Sequence, residues 1–362
     1  MAEIINGYTL LGPLTNANAG YGRWGFAKKG GTEYFIKEFL NPIYPTKESP
    51  YPPDMQEKIK EGCLQYQKSK QRLYKAVNET SDGNLVRIEE FFRWGSKYYI
   101  ATRRAKATMD PSMVAQQPME DRLRVCCVLC HALMQMHEVG IVHADVKADN
   151  IIIGKNSKGG ITAKLIDVDC SFFEDTPPED GDDLGGDQNY FSPEGFLFKY
   201  LGPEEVDLSC KMDVYAMGIL MHQLLTGALP DFGGDYNYAF EASLDDRPIR
   251  ISNALPDSIR GTIAQMLRKE PEDRLTMKQV FFRMRHALAP EVIWEVASAA
   301  APAPARPAAA KPAGGRVKFG GFDRAIEMVR EISAPVQHTV PPASPKTAVE
   351  PAGDFFSKGG DL

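Results

Sequence analysis

The sequence predicts an α+β chain in which a small antiparallel sheet with one helix precedes a mostly helical region. Three observations carry that prediction. Residues 8 to 40 alternate as a meander of short strands, to which Leu85–Phe92 and Lys97–Thr102 add two more. Helical periodicity dominates from Met119 onward. Between the two, the stretch Gly140 to Ile153 places an imidazole, two carboxylates, an ammonium and an amide within His143 to Asn150, flanked by apolar runs of strand length. Reactive connectors held by rigid flanks are where catalytic groups concentrate.

Composition narrows the possibilities. The chain has 362 residues, 43% of them apolar, which is enough for a sizeable core. A formal charge of −6 gives no reason to expect nucleic acid or an anionic membrane as partner. Met1 to Asn6 lacks a basic segment followed by an apolar one, so no signal peptide is expected, and no apolar run reaches the roughly 18 residues of a membrane span. Cys126, Cys127 and Cys130 lie beside His131, but they fall on a helical apolar period with Leu123, Leu133 and Met136. Core packing explains them better than a metal site, and a reduced, cytoplasmic protein is expected.

In chain order, Tyr8–Asn16 and Phe26–Lys29 read as the first strands, Gly30-Gly31 as a hairpin turn and Glu33–Phe39 as the third strand. Gly20, Gly22 and Gly25 form a Gly-x-Gly-x-x-Gly pattern between two strands, where absent side chains allow close backbone approach to a phosphate. Lys37 sits in an apolar strand and needs a partner, because an unpaired buried ammonium is costly. A Pro-rich connector ends at Asp54, the expected N-cap of a helix running to about Asn78, whose acidic candidates are Glu57 and Glu61. Later, the strand Ala163–Ile166 ends at Asp167-Val168-Asp169, and residues 169 to 194 hold nine acids and no basic residue.

His143-x-Asp145-x-Lys147-x-x-Asn150 is similar to the catalytic loop of protein kinases. Asp167-Val168-Asp169 resembles the magnesium-binding Asp-Phe-Gly, Ser192-Pro193-Glu194 the Ala-Pro-Glu motif, and Lys211–Gly218 the start of the large lobe's central helix. Arg274 is the expected ion-pair partner of Glu194. With these landmarks in order, the chain resembles eukaryotic-like (Hanks-type) serine/threonine protein kinases of bacterial type over about residues 7 to 288. The resemblance implies a bilobal fold, with an N-lobe over about 7–103 and a C-lobe over about 104–288. An Ala/Pro-rich linker over 289–315 and a largely disordered tail over 316–362, with a short amphipathic helix at 322–332, are expected to follow.

The same resemblance implies ATP and Mg2+ as cofactors. Asp145 would accept or orient the hydroxyl proton and Lys147 would neutralise the transferring phosphate. Asn150 and Asp167 would ligate magnesium, and Lys37, fixed by Glu61, would hold the α- and β-phosphates. Glu61 is preferred to Glu57 because it leaves uncharged Gln65, not a second acid, in the helix's buried column. Gly20, Gly22, Gly25, Ala27, Phe35, Thr102 and Ile152 complete the expected nucleotide site. The expected partners are proteins bearing Ser or Thr, together with a cognate phosphatase.

Four departures from the family pattern matter. Ala144 replaces the arginine that receives a loop phosphate, so control by activation-loop phosphorylation is not expected. Asp187 stands in place of a threonine and is expected either to repel Asp145 or to pair with Lys147. Val168 and Asp169 replace Phe and Gly, which makes a flip of that motif harder. Finally, Ala27 and Phe35 exchange a large and a small residue at two sites that normally face adenine. That exchange is expected to conserve volume and keep ATP binding; without it, a pseudokinase scaffold is the alternative.

Overall fold

The computed structural model describes residues 2–17, 22–156 and 158–289. The linker beyond Ala289, the tail and its helix at 322–332 lie outside the described residues. Strands β1 (Ile4–Ile5), β2 (Tyr8–Leu10), β3 (Gly22–Lys29), β4 (Thr32–Phe39), β5 (Ile88–Trp94) and β6 (Lys97–Arg103) form one antiparallel sheet of order β1-β2-β3-β4-β6-β5. Gly30 and Gly31, at φ of 56° and 81°, supply the left-handed positions of the tight β3–β4 turn.

The edges of the first strands differ from expectation. β2 stops at Leu10, with Thr15 alone bridging back to Trp24, and β3 begins at Gly22, not Phe26. Glycine is a poor strand former, which hides this start. Here close packing demands it: a Cβ on Gly22 would lie 2.9 Å from the Glu38 carbonyl oxygen, and one on Gly25 would lie 3.0 Å from Leu14 Cδ2.

Helix α1 (Pro53–Thr80) buries Cys63, Leu73, Tyr74 and Val77 at helical spacing, and Tyr98 of β6 donates a 3.1 Å hydrogen bond to the Cys63 carbonyl. Proline precedes and opens the helix, which has no side-chain N-cap; Asp54 lies in its first turn and favours the positive end of the helix dipole.

The second region is built from α2 (Met119–Glu138), α3 (Pro193–Leu201), α4 (Lys211–Thr226), α5 (Ala239–Leu244), α6 (Asp257–Met266) and α7 (Met277–Leu288). Two small antiparallel pairs complete it: β7 (Ile141–Val142) with β10 (Phe172–Phe173), and β8 (Ile151–Lys155) with β9 (Ile161–Leu165). The α+β architecture is the one the sequence predicts. Cys126, Cys127 and Cys130 are buried on α2, where Cys130 Sγ lies 3.9 Å from Met221 Sδ of α4. Arg274 and Glu194 form a buried bidentate pair, one arm at 2.7 Å, and Arg274 also donates to the carbonyls of Arg268, Lys211 and Lys269. That network ties α3 and α4 to the segment between α6 and α7. Among the described residues, no helix is long and apolar enough to cross a membrane.

Helix α4 is buried almost all round, as a central helix must be. One acid interrupts it. Asp213 is 1% exposed, and its Oδ1 accepts from the Ala144 N–H at 2.9 Å while Oδ2 accepts from the His143 N–H at 2.7 Å. Oδ2 also meets His137 Nε2 at 2.9 Å. These bonds hold Ala144 at φ 66°, a left-handed conformation that costs a non-glycine residue on the order of 1 kcal/mol. Asp213→Asn puts an amide donor against a backbone donor. Urea denaturation should therefore show a loss of about 2 kcal/mol; a change below ~0.5 kcal/mol, the range of ordinary surface substitutions, would remove Asp213 from its role as loop anchor.

Candidate active site

The loop from His143 to Asn150 leaves β7, passes over α4 and enters β8. His143 is fully buried, its Nε2 3.2 Å from the Ile166 carbonyl and its Nδ1 accepting from the Asp145 N–H at 3.3 Å, so it packs the loop from within. Asp145 Oδ2 meets Lys147 Nζ at 2.9 Å and accepts from Asn150 Nδ2 at 2.7 Å. The same Nδ2 donates to the Asp145 carbonyl at 2.8 Å. Asp145 Oδ1 is buried and has no hydrogen-bond donor among the described residues. Burial alone would lower the Lys147 ammonium's pKa, but the Asp145 carboxylate, with a more distant contribution from Asp187, holds it above the usual lysine range.

Asp187 takes neither expected role through direct contact. Its Oδ1 instead accepts from the Asn189 N–H and side-chain amide, both at 2.9 Å, capping a short turn. The segment from Asp169 to Glu194 is anchored at several points. Ser171 Oγ donates to the His143 carbonyl at 3.1 Å, β10 pairs with β7, and Glu174 accepts from the Cys210 N–H at 2.6 Å. Gly185 packs so closely on Cys170 that a Cβ there would lie 2.4 Å from the sulfur. Burial, reinforced by Asp145, Asp167 and Asp169, pushes that thiol up to about 12.

Lys37 projects from β4 with its side chain 12% exposed. Its ammonium lies 3.2 and 3.1 Å from the two oxygens of Asp167 and 2.6 Å from Asp169 Oδ2. Burial alone would lower its pKa; the Asp169 and Asp167 carboxylates outweigh burial and raise it above the usual range. Asp169 is held in turn from α1, where Lys70 Nζ donates to its carbonyl and Tyr74 Oη to its Oδ1 at 3.3 Å. Burial lowers the Lys70 pKa, against the pull of Asp169. Burial and Asp167 raise that of Asp169, against the pull of Lys37 and Lys70.

The expected Lys37–Glu61 pair does not form. Glu61 and Glu57 are both exposed, and Glu57 pairs with Lys60 at 3.1 Å. The inward stripe of α1 runs through Cys63, Leu73, Tyr74 and Val77, with Tyr66 and Lys70 beside it. Glu61 stands two residues, or roughly 200° of rotation, from Cys63. Sequence reasoning missed Lys70, Tyr74 and Asp213. The available signals were a Lys-Tyr pair at i,i+4 spacing on one helix face and an acid inside an apolar helix.

The expected Ala27/Phe35 exchange also fails, for a reason of strand parity. In the β3–β4 register Phe26 opposes Phe35 and Trp24 opposes Lys37, whereas Ala27 opposes Tyr34. Ala27 is fully buried in the outer cluster with Ile5, Tyr8, Leu10, Ile36, Tyr99 and Ala101. A shift of one residue turns a strand's side chains to the other face. The face bearing Phe35 therefore carries Phe26 and Trp24, whose rings lie 6.2 and 5.6 Å from that of Phe35. Thr102 of β6 opposes Phe35 and is nearly buried, and Ile152 sits on β8 between the core residues Ile151 and Ile153. Gly22 lies against the Lys37 side chain, Gly25 against Leu14, and Gly20 is outside the described residues.

Comparison with known proteins gives a consistent result. The family model for the protein kinase domain matches residues 56–284. The serine/threonine-protein kinase PksC of Streptomyces coelicolor is 26% identical over 49% of this chain and 31% of its own length. Pkn1 of Myxococcus xanthus is 30% identical over 40% of this chain and 21% of its own length, and a Wee1-like protein kinase of rice is 31% identical over 49% and 30%. The chain thus spans about a third or less of these relatives. Among solved structures, the kinase domain of Mycobacterium tuberculosis PknI superposes with a TM-score of 0.53 at 17% identity, covering 79% of this chain and 98% of that one. The Cydia pomonella granulovirus kinase PK-1 gives 0.54 at 17% identity, covering 76% and 92%. With the family model spanning well over half of its length, the chain belongs to the protein kinase domain family.

Proposed function

We propose that this protein transfers the γ-phosphate of ATP to serine or threonine hydroxyls of other proteins. The observation that carries the reading is the Asp145 carboxylate. One oxygen is held by Lys147 and Asn150, and the other is buried without a donor among the described residues. A buried acceptor left open beside an ammonium suits a group that receives a hydroxyl proton next to a transferring phosphate. Lys147 neutralises charge on that phosphate, and its place two residues after Asp145 is the serine/threonine arrangement in the family resemblance. Lys37 holds the α- and β-phosphates, close to Gly22, and Phe35, Thr102 and Ile152 line the base.

Magnesium fits the donors present. With Nδ2 of Asn150 engaged by Asp145, its Oδ1 is the oxygen left for a cation, and Asp167 adds a carboxylate. Among the described residues no cluster of three acid, His or Cys side chains could hold a metal by itself. Two protein oxygens suit Mg2+, which keeps waters and takes phosphate ligands. Bound there, the ion would offset negative charge on the phosphates.

Loop phosphorylation is not the switch in this reading. Ala144 carries no guanidinium to receive a phosphate, and the segment after Asp169 is already bonded to the catalytic loop and to Cys210. Six unpaired cysteines, four of them buried, suit a reducing compartment, here assigned as the cytoplasm. A cognate phosphatase as antagonist follows from the family resemblance alone.

One observation favours the rival reading of a pseudokinase scaffold. Phe26 and Phe35 stand side by side, so no small residue offsets Phe35. In the kinase reading Phe35 stacks on adenine, and Phe35→Ala weakens binding of a fluorescent ATP analogue by roughly tenfold or more. Binding that arises only after the substitution would favour the scaffold. The activity itself is tested with radiolabelled γ-phosphate and a generic basic protein. Asp145→Ala should cut transfer by about a hundredfold or more, chelation of magnesium should abolish it, and the label should reside on Ser or Thr. Equal labelling by the native chain and the variant would overturn the proposal.

A further inference from the structure

We infer that the carboxylate positioning Lys37 comes from Asp169, and that α1 controls Lys37 through Lys70 and Tyr74 instead of through a glutamate. Three contacts assign this role. Asp169 Oδ2 is the nearest oxygen to the Lys37 ammonium, at 2.6 Å, against 3.1 Å for the nearer oxygen of Asp167. The Asp169 side chain is also the more enclosed, 13% exposed against 33% for Asp167. Its hold on α1 is double: Tyr74 Oη donates to the carboxylate at 3.3 Å and Lys70 Nζ to the backbone carbonyl. Lys70 and Tyr74 are four residues apart and so share one face of the helix.

The charges are transposed as a set. The expected acids of α1, Glu57 and Glu61, face solvent, while the helix presents a half-buried cation and a hydroxyl to the site. The negative partner lies instead in the segment that follows β9, two residues beyond Asp167. An acid at 169 without Lys37 would be an enclosed anion lacking its counter-charge. Lys70 adds a half-buried ammonium at the backbone carbonyl of the same residue. Because Asp167 is the carboxylate that the kinase reading assigns to the metal, Asp169 is the one dedicated to Lys37. Asp169 is thus a positioning residue, acting on the nucleotide through Lys37.

The inference rests on the kinase reading only for its consequence in phosphate transfer; its effect on nucleotide binding is measurable separately. Equilibrium titration of the full chain with a fluorescent ATP analogue and Mg2+ tests it, using Asp169→Asn, Glu61→Gln, Lys37→Met and the Lys37→Met/Asp169→Asn double variant. Thermal melting verifies that each is folded. Asp169→Asn should weaken binding by roughly tenfold, the scale of a lost close charge pair. In the Lys37→Met background the same change should alter binding by less than about twofold, since the two act as one unit. Glu61→Gln should have no effect. Tyr74→Phe, which removes only one hydroxyl and serves if Asp169→Asn does not fold, should weaken binding in the same direction and also depend on Lys37.

An Asp169→Asn effect that persists undiminished in the Lys37→Met background would overturn the inference. So would a Glu61→Gln loss as large as that of Asp169→Asn. If the cycle holds but the native chain transfers no phosphate, the kinase reading falls and the positioning role stands. No saturable binding by the native chain overturns both.

Discussion

An ammonium set in the middle of a β-strand and closed off from water must find negative charge, and much of the small lobe follows from that need. Lys37 points inward because strand parity sends Ile36 and Glu38 to the opposite face of β4 from it. Its partners cannot come from the sheet face it shares, which is occupied by Trp24, Phe26 and Phe35. They come from the segment after β9, where Asp167 and Asp169 lie two residues apart. Asp167 adopts φ 62° there, a left-handed conformation for a residue other than glycine, and such strain persists where surrounding bonds enforce it. Fixing that segment also fixes α1, because Lys70 and Tyr74 hold the same Asp169. Sheet, helix and catalytic region therefore share one charge network.

The large lobe has its own organising charge in Asp213. A carboxylate inside an apolar helix is tolerable only if its oxygens are filled, and the donors that fill them belong to His143 and Ala144. The buried helix thereby shapes the loop that carries Asp145, Lys147 and Asn150. The two anchors meet at the catalytic loop: Ile166, next to Asp167, donates its N–H to the Asn150 carbonyl at 2.9 Å, and His143 Nε2 faces the Ile166 carbonyl. Displacement of the Asp167–Asp169 segment would thus be felt at Asp145 through backbone bonds.

Much of this was legible in the sequence because it rests on local pattern. The helical pattern that begins at Met119 is helix α2, the apolar stretch opening at Lys211 is helix α4, and the polar loop between short apolar runs stands out unaided. Local pattern fails where the deciding contact is distant in the chain. The face on which Ala27 sits depends on its register against β4, and counting from the last glycine puts it on the wrong side. Glu61 has the right chemistry, but the rotation of α1 is set by Cys63, Leu73, Tyr74 and Val77 packing inward, not by the demand of Lys37. Asp169 was visible as a departure from glycine. Its partnership with Lys37 joins residues 132 positions apart and appears only in three dimensions.

The most direct test is a crystal structure of the protein with Mg2+ and a non-hydrolysable ATP analogue. The predicted result has Lys37 Nζ within about 3 Å of both an Asp169 oxygen and a nucleotide phosphate oxygen, with Lys70 and Tyr74 on Asp169 and Glu61 in solvent. A structure in which Lys37 pairs with Glu61 or Glu57, and Asp169 is turned away from it, would contradict the central claim.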